Sequence, residues 1–142
     1  MRVMVIINAS KDSEADKLPS QALLAAMGKY NEELVKSGVM LDGEGLQSSR
    51  HGKRIEFEGD KTKVIDGPFG ETKQLVAGFW MWQVKSMEEA VAWARRIPNT
   101  DGAHGSVELR PVFEADDFGE VMTPELREQE NKLRAALEKQ RS

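Results

Sequence analysis

Val3 to Ile7 is an unbroken run of β-branched and Met side chains that stops at Asn8-Ala9-Ser10, and it predicts a strand that is apolar on both faces. A polar loop follows through Lys17. Pro19 and Ser20 then suit a helix start, and Leu23, Met27, Tyr30 and Leu34 recur at helical spacing until Ser37-Gly38 stops the helix. Val39-Met40-Leu41 opens a short apolar segment whose continuation, Gly43-Glu44-Gly45-Leu46, predicts a strand end or bulge. Arg54 to Glu58 alternates with period two, Gly59-Asp60 turns the chain, and Lys63-Val64-Ile65 returns, which predicts a hairpin. Proline has no N–H to give a ladder, so Asp66-Gly67-Pro68-Phe69 ends it.

The clearest strand pattern spans Leu75 to Val84, with Phe79, Met81 and Gln83 on one side and Trp80, Trp82 and Val84 on the other. Ser86 and Glu89 have the S-x-x-E spacing of a capping box ahead of Met87, Ala90, Val91, Ala94 and Ile97, and Pro98 marks the expected helix end. Ser106 to Phe113 alternates again, placing Val107, Leu109 and Pro111 opposite Glu108, Arg110 and Val112. Beyond Glu114, an acidic linker leads to Thr123-Pro124-Glu125, an N-cap with proline at the first helical position. That predicts a mostly solvated helix to about Lys139, with a thin apolar stripe of Leu126, Leu133, Ala136 and Leu137 and i,i+4 pairs Glu128/Lys132 and Glu130/Arg134.

The element order β-α-β, hairpin, β-α-β predicts an α+β fold of ferredoxin-like split βαβ type, with an antiparallel sheet and both helices on one face. Residues 1–114 form that domain; 115–142 are linker and terminal helix. Two of the strands are apolar on both sides while the helices cover only one, so a second copy of the chain is the expected cover for the other, in a two-fold dimer. With Trp80 and Trp82 placed on the open side, the surface at stake is on the order of hundreds of Å², worth several kcal/mol at roughly 25 cal/mol per Å².

Composition narrows the function. A net charge of -4 over 142 residues supplies no broad positive field for phosphates, which argues against nucleic-acid binding. The chain contains no cysteine, so disulfides, zinc-thiolate sites, iron-sulfur clusters and thiol chemistry are excluded, and a reducing, cytoplasmic setting is expected. No segment approaches 18 apolar residues, so no membrane span is expected. His51 and His104 are the two histidines, far apart in glycine-containing loops, and they suggest no metal site. No dinucleotide or P-loop glycine motif predicts a cofactor.

The string Asp66-Gly67-Pro68-Phe69-Gly70-Glu71-Thr72-Lys73, followed by Ala77-Gly78-Phe79, Met87-Glu88-Glu89-Ala90 and Gly105-Ser106-Val107-Glu108-Leu109-Arg110-Pro111, resembles the YCII-related family in its DGPF-motif branch. The resemblance runs from Met1 to about Glu114. It implies a dimeric α+β barrel of ferredoxin-like subunits, and an acid/base pair of helix-borne histidine and aspartate near a cleft at the dimer interface. The place of that histidine is held here by Met27, and the branch's second motif glutamate is replaced by Gln74.

Two sets of residues are candidates for a site. Asp66 suits an Asx turn, in which its carboxylate accepts backbone N–H groups ahead of it, and the motif then serves as a structural corner. Alternatively Asp66, Glu71 and Lys73 leave that corner pointing into a cleft, where a carboxylate beside an ammonium takes a proton and steadies the resulting anion. Residues 71 and 73 share a side if the chain is extended there. Glu108 and Arg110 share one side of the last strand, either as an interface ion pair or with Arg110 holding a ligand carboxylate in its fork. The expected function is binding of a small anionic or polar molecule in a cleft lined by Asp66, Phe69, Glu71, Lys73, Glu108 and Arg110, with lyase or isomerase activity as an extension. The alternative is a non-catalytic interaction protein.

Overall fold

The computed structural model describes every residue except Ala103, and every side chain except those of Ala103 and Lys73. The chain divides into two compact units, Met1–Pro111 and Val112–Ser142. The first holds six strands: β1 (Arg2–Asn8), β2 (Met40–Gly45), β3 (Lys53–Glu58), β4 (Lys61–Asp66), β5 (Val76–Gln83) and β6 (Val107–Pro111). Its helices are α1 (Lys11–Glu14), α2 (Gln21–Lys36) and α3 (Met87–Ala94). Strands β2-β5-β1-β6 form one sheet in that order, every pair antiparallel, and β3-β4 form a separate two-stranded ribbon. With the ribbon set aside, this is the strand order of a split βαβ fold.

Ser20 caps α2 by accepting the Leu23 N–H (3.1 Å), and Ser86 caps α3 by accepting that of Glu89 (3.1 Å). The expected box at α3 closes one residue early: the Glu89 carboxylate takes the N–H of Lys85 (2.8 Å) rather than that of Ser86. The helix itself stops at Ala94, ahead of Pro98, because the chain tightens into i→i+3 bonds from Arg96 N to Trp93 O and from Ile97 N to Ala94 O. The stretch before Pro19, expected as plain loop, contains α1, nucleated by reciprocal bonds between Ser10 and Ser13 (2.9 and 3.1 Å). β2 carries a register shift at its start, between Met40 and Asp42, and an added Cβ at Gly43 would sit 2.7 Å from the Trp80 indole.

The core lies between the sheet and the two longer helices, and it corrects the expectation for the tryptophans. Trp80 and Trp82 are 5% and 0% exposed and share the helix-covered face with Val3, Val5 and Val84, against Tyr30 and Leu34 of α2 and Ala90 of α3. The alternation along β5 places the two indoles on one side; the larger side chains went under the helices because those helices offer, among the described residues of this unit, the extended apolar cover. Tyr30 ties the layers together. Its hydroxyl donates to the Trp93 carbonyl (2.6 Å), its ring meets Trp80 edge-on at 5.8 Å, and Trp80 Nε1 donates to Asn31 (2.9 Å). Burial holds the Tyr30 hydroxyl well above the usual tyrosine range, so it remains a donor.

The opposite face of the sheet is formed by Met4, Ile6, Phe79 and Met81, all half-buried, with Glu108 and Arg110 beside Ile6 and Met4. It is smaller and less aromatic than a face carrying two indoles.

In the second unit, short 3₁₀ turns over Ala115–Val121 break at Gly119 (φ 57), and Thr123 caps α4 (Pro124–Arg141). Phe113 stacks on Phe118 at 4.9 Å. Leu126 and Leu133 line a groove of about 230 Å³ with Phe118, Val121 and Met122. Among the described residues, no helix is long and apolar enough to cross a membrane.

Candidate functional site

The Asp66–Phe69 corner packs on the 3₁₀ turn Ser49–His51, and this contact organises the polar chemistry of the first unit. Gly67 N–H donates to Gly52 O (3.0 Å), and Phe69 N–H donates to Ser49 Oγ (3.0 Å). The backbones approach so closely that a Cβ on Gly67 would lie 1.7 Å from Ser49 O. Glycine is required there for space, and the Gly67–Pro68 peptide is cis.

The same turn is gripped from its other side by the end of α1. Glu14 accepts the Ser49 hydroxyl at 2.5 Å through one carboxylate oxygen and the Ser49 N–H at 2.9 Å through the other. Two residues along each segment, Asp16 Oδ2 lies 3.2 Å from His51 Nε2. Glu14 and Asp16 thus meet Ser49 and His51 in parallel. The Ser49 hydroxyl has partners on both sides and is half-buried, which suits a clamp; the His51–Asp16 pair is more open, with side chains 52% and 37% exposed.

Asp16 adopts φ 60, a left-handed backbone uncommon outside glycine. Its carboxyl is held below the usual carboxylate range. The neighbouring Ser48 hydroxyl is the largest influence, followed by His51 through hydrogen bond and charge and by Arg50 through charge, against an opposing desolvation. Ser48 Oγ is buried and makes no hydrogen bond with the described residues. The sign of the linkage follows. A depressed carboxyl contributes stability that is fully present above its unfolded value of 3.8 and lost as pH falls through the lower folded value. The Tm difference between wild type and Asp16→Asn is therefore expected to shrink once the pH falls below 3.8, as read by thermal melts carried below that pH.

The residues singled out by sequence are only partly brought together. Asp66 makes no Asx turn: it pairs with Lys53 across the end of the ribbon (2.5 Å), because the N–H groups ahead of it are taken by Gly52 and Ser49. Phe69 is placed in the organised region. Its ring lies under the Arg54 guanidinium, whose carbon is 4.3 Å from the centroid. Glu71 is exposed, and it immediately precedes a 3₁₀ turn over Thr72–Gln74. The side chain of Lys73 lies outside the described residues. Glu108 and Arg110 do share a face, 3.8 Å apart and both exposed, on the helix-free side of the sheet. Among the described residues, no hydrogen bond or ion pair links them to the Asp66 corner.

Glu14, Asp16, Ser49 and His51 were missed as a group because the two segments are 35 residues apart and each reads as loop. A signal was present: Glu14-x-Asp16 and Ser49-x-His51 have equal spacing. That pattern acquires meaning only once the corner fixes the turn. Among the described residues, no three histidine, aspartate or glutamate side chains group as metal ligands.

An uncharacterised protein of Rhizobium meliloti (strain 1021) is 29% identical over 106 residues, covering 75% of this chain and 82% of that one. The solved structure of 5-chloro-2-hydroxyhydroquinone dehydrochlorinase from Burkholderia phenoliruptrix, in complex with 2,5-dihydroxybenzoquinone, is 14% identical. It covers 80% of this chain and 95% of its own, with a TM-score of 0.47. Residues 1–116, the whole α+β unit with the corner, the turn and the sheet, match the YCII-related domain, and the chain belongs to that family.

Proposed function

We propose that this YCII-related protein is a cytoplasmic homodimer that binds a small polar molecule beside the Ser49–His51 turn and moves a proton with His51, in a reaction of lyase or isomerase type. The observation that carries the reading is the 3.2 Å contact of His51 Nε2 with Asp16. With the Nε2 proton donated to that carboxylate, Nδ1 keeps a lone pair and serves as base, and the ionised Asp16 stabilises the imidazolium that forms. Glu14 and the corner hold the turn so that the imidazole meets a bound molecule in one orientation, which is where positioning contributes to rate.

The dimer rests on the apolar patch Met4, Ile6, Phe79 and Met81, which a second sheet of the same kind would cover. A non-catalytic interaction protein is the competing reading, and it is favoured by the tight filling at Gly67, which makes the corner itself a packed joint.

The two are separated by following solvent deuterium incorporation into a panel of enolisable metabolites, with ligand-induced thermal shifts measured in parallel. Wild type is expected to exchange at least one compound, and His51→Gln to lower that rate by about 10² to 10⁴ while remaining folded at the assay temperature. Exchange undiminished in His51→Gln removes His51 from the proton transfer, whereas no exchange and no shift with any compound gives the protein to the interaction reading.

A further inference from the structure

The run Arg50-His51-Gly52-Lys53-Arg54 places four basic or imidazole side chains within five residues of a chain whose net charge is -4. Their partners divide them into two classes. Lys53 is committed to Asp66 and His51 to Asp16. Among the described residues, neither Arg50 nor Arg54 has a carboxylate within ion-pair distance.

Arg54 is nevertheless fixed. Its guanidinium lies over the Phe69 ring, and Phe69 is anchored to the turn through its N–H bond to Ser49 Oγ. Stacking uses the flat face of a guanidinium and leaves the in-plane N–H groups free to grip an oxyanion with two parallel bonds. Arg50 is part of the same turn, next to His51, and its charge reaches Asp16.

Because Arg50 lies in the Ser49–His51 turn and Arg54 stacks on a residue bonded to that turn, and resting on the reading of His51 as the proton-transfer group, we infer that the site takes a small oxyanion-bearing ligand, a carboxylate or phosphate, gripped by Arg50 and Arg54 beside the His51 imidazole. The anion is thus held by two residues outside the expected set, in place of Lys73 and Arg110. Binding the anionic end there leaves the rest of the molecule next to His51 Nδ1, and the two guanidiniums stabilise negative charge that builds up when a proton is removed.

Malonate, inorganic phosphate and the uncharged analogue malonamide distinguish the outcomes, with binding read by calorimetry and by the NMR shifts of the His51 ring. Malonate or phosphate is expected to bind saturably at low salt and malonamide to give no signal. Arg50→Gln/Arg54→Gln should raise the anion Kd about tenfold or more, and Arg54→Lys, which keeps the charge and loses the fork, should fall between. Far-UV circular dichroism of each variant confirms that the ribbon is intact. His51→Gln should retain most of the anion affinity, so loss of proton transfer and loss of anion binding are separately visible. Equal binding of malonamide and malonate, no saturable anion binding by wild type, or an unchanged Kd in the double arginine variant would each overturn the inference, and none of them touches the assignment of His51.

Discussion

Gly67→Ala is expected to destabilise the protein by about 2–4 kcal/mol, the range of a severe steric substitution at a packed site. The new Cβ would fall 1.7 Å from Ser49 O and 3.2 Å from Gly52 O, both backbone atoms with no flexible end to yield. Relief requires the corner and the turn to separate, which breaks the Gly67 N–H bond to Gly52 O and the Phe69 N–H bond to Ser49 Oγ. Chemical denaturation measures the loss. The His51 ring resonances should shift with it, because the turn that carries His51 moves. Gly70→Ala, where an added Cβ meets nothing within 4 Å, is the control and should leave both measurements near wild type. Equal stability of the two variants would show that the corner does not hold the turn.

Met81→Glu should convert the proposed dimer to a folded monomer. Met81 pairs with Met4 across β1 and β5, in the middle of the helix-free face, and points away from the core. A carboxylate buried there without a partner costs a few kcal/mol, and about 3 kcal/mol weakens association by a factor on the order of 10². Sedimentation velocity across a micromolar concentration series reads the change, and an unaltered melting curve at low concentration would confirm that the core is untouched. A wild-type chain that sediments as a monomer throughout would remove the dimer from the proposal. Both substitutions separate what a residue does inside one copy from what it does at a surface.

Much of the fold was written in local patterns. The capping serines at 20 and 86, Thr123-Pro124 at the start of α4, the period-two ribbon and the alternation along β5 each involve neighbours a few residues apart, and local sterics and hydrogen bonding decide such features before any long-range contact forms. The Asp-Gly-Pro-Phe string marked a corner for the same reason. The sequence by itself therefore determined the order of the longer elements, the split βαβ pairing and the family.

Other features depended on which elements came to lie against each other. Alternation placed Trp80 and Trp82 on one side of β5, but the choice between helix-covered and open sides was made by the fit of α2 and α3. Asp66 turned from its expected backbone partners to Lys53 because Gly52 and Ser49 had taken those donors. The site shows the difference most clearly. Glu14 meets Ser49, and Asp16 meets His51, at a separation of 35 positions that spans helix, strand and loop, a distance over which no periodicity operates. Only the tertiary structure made that pairing, through a glycine whose missing side chain lets one backbone lie against another.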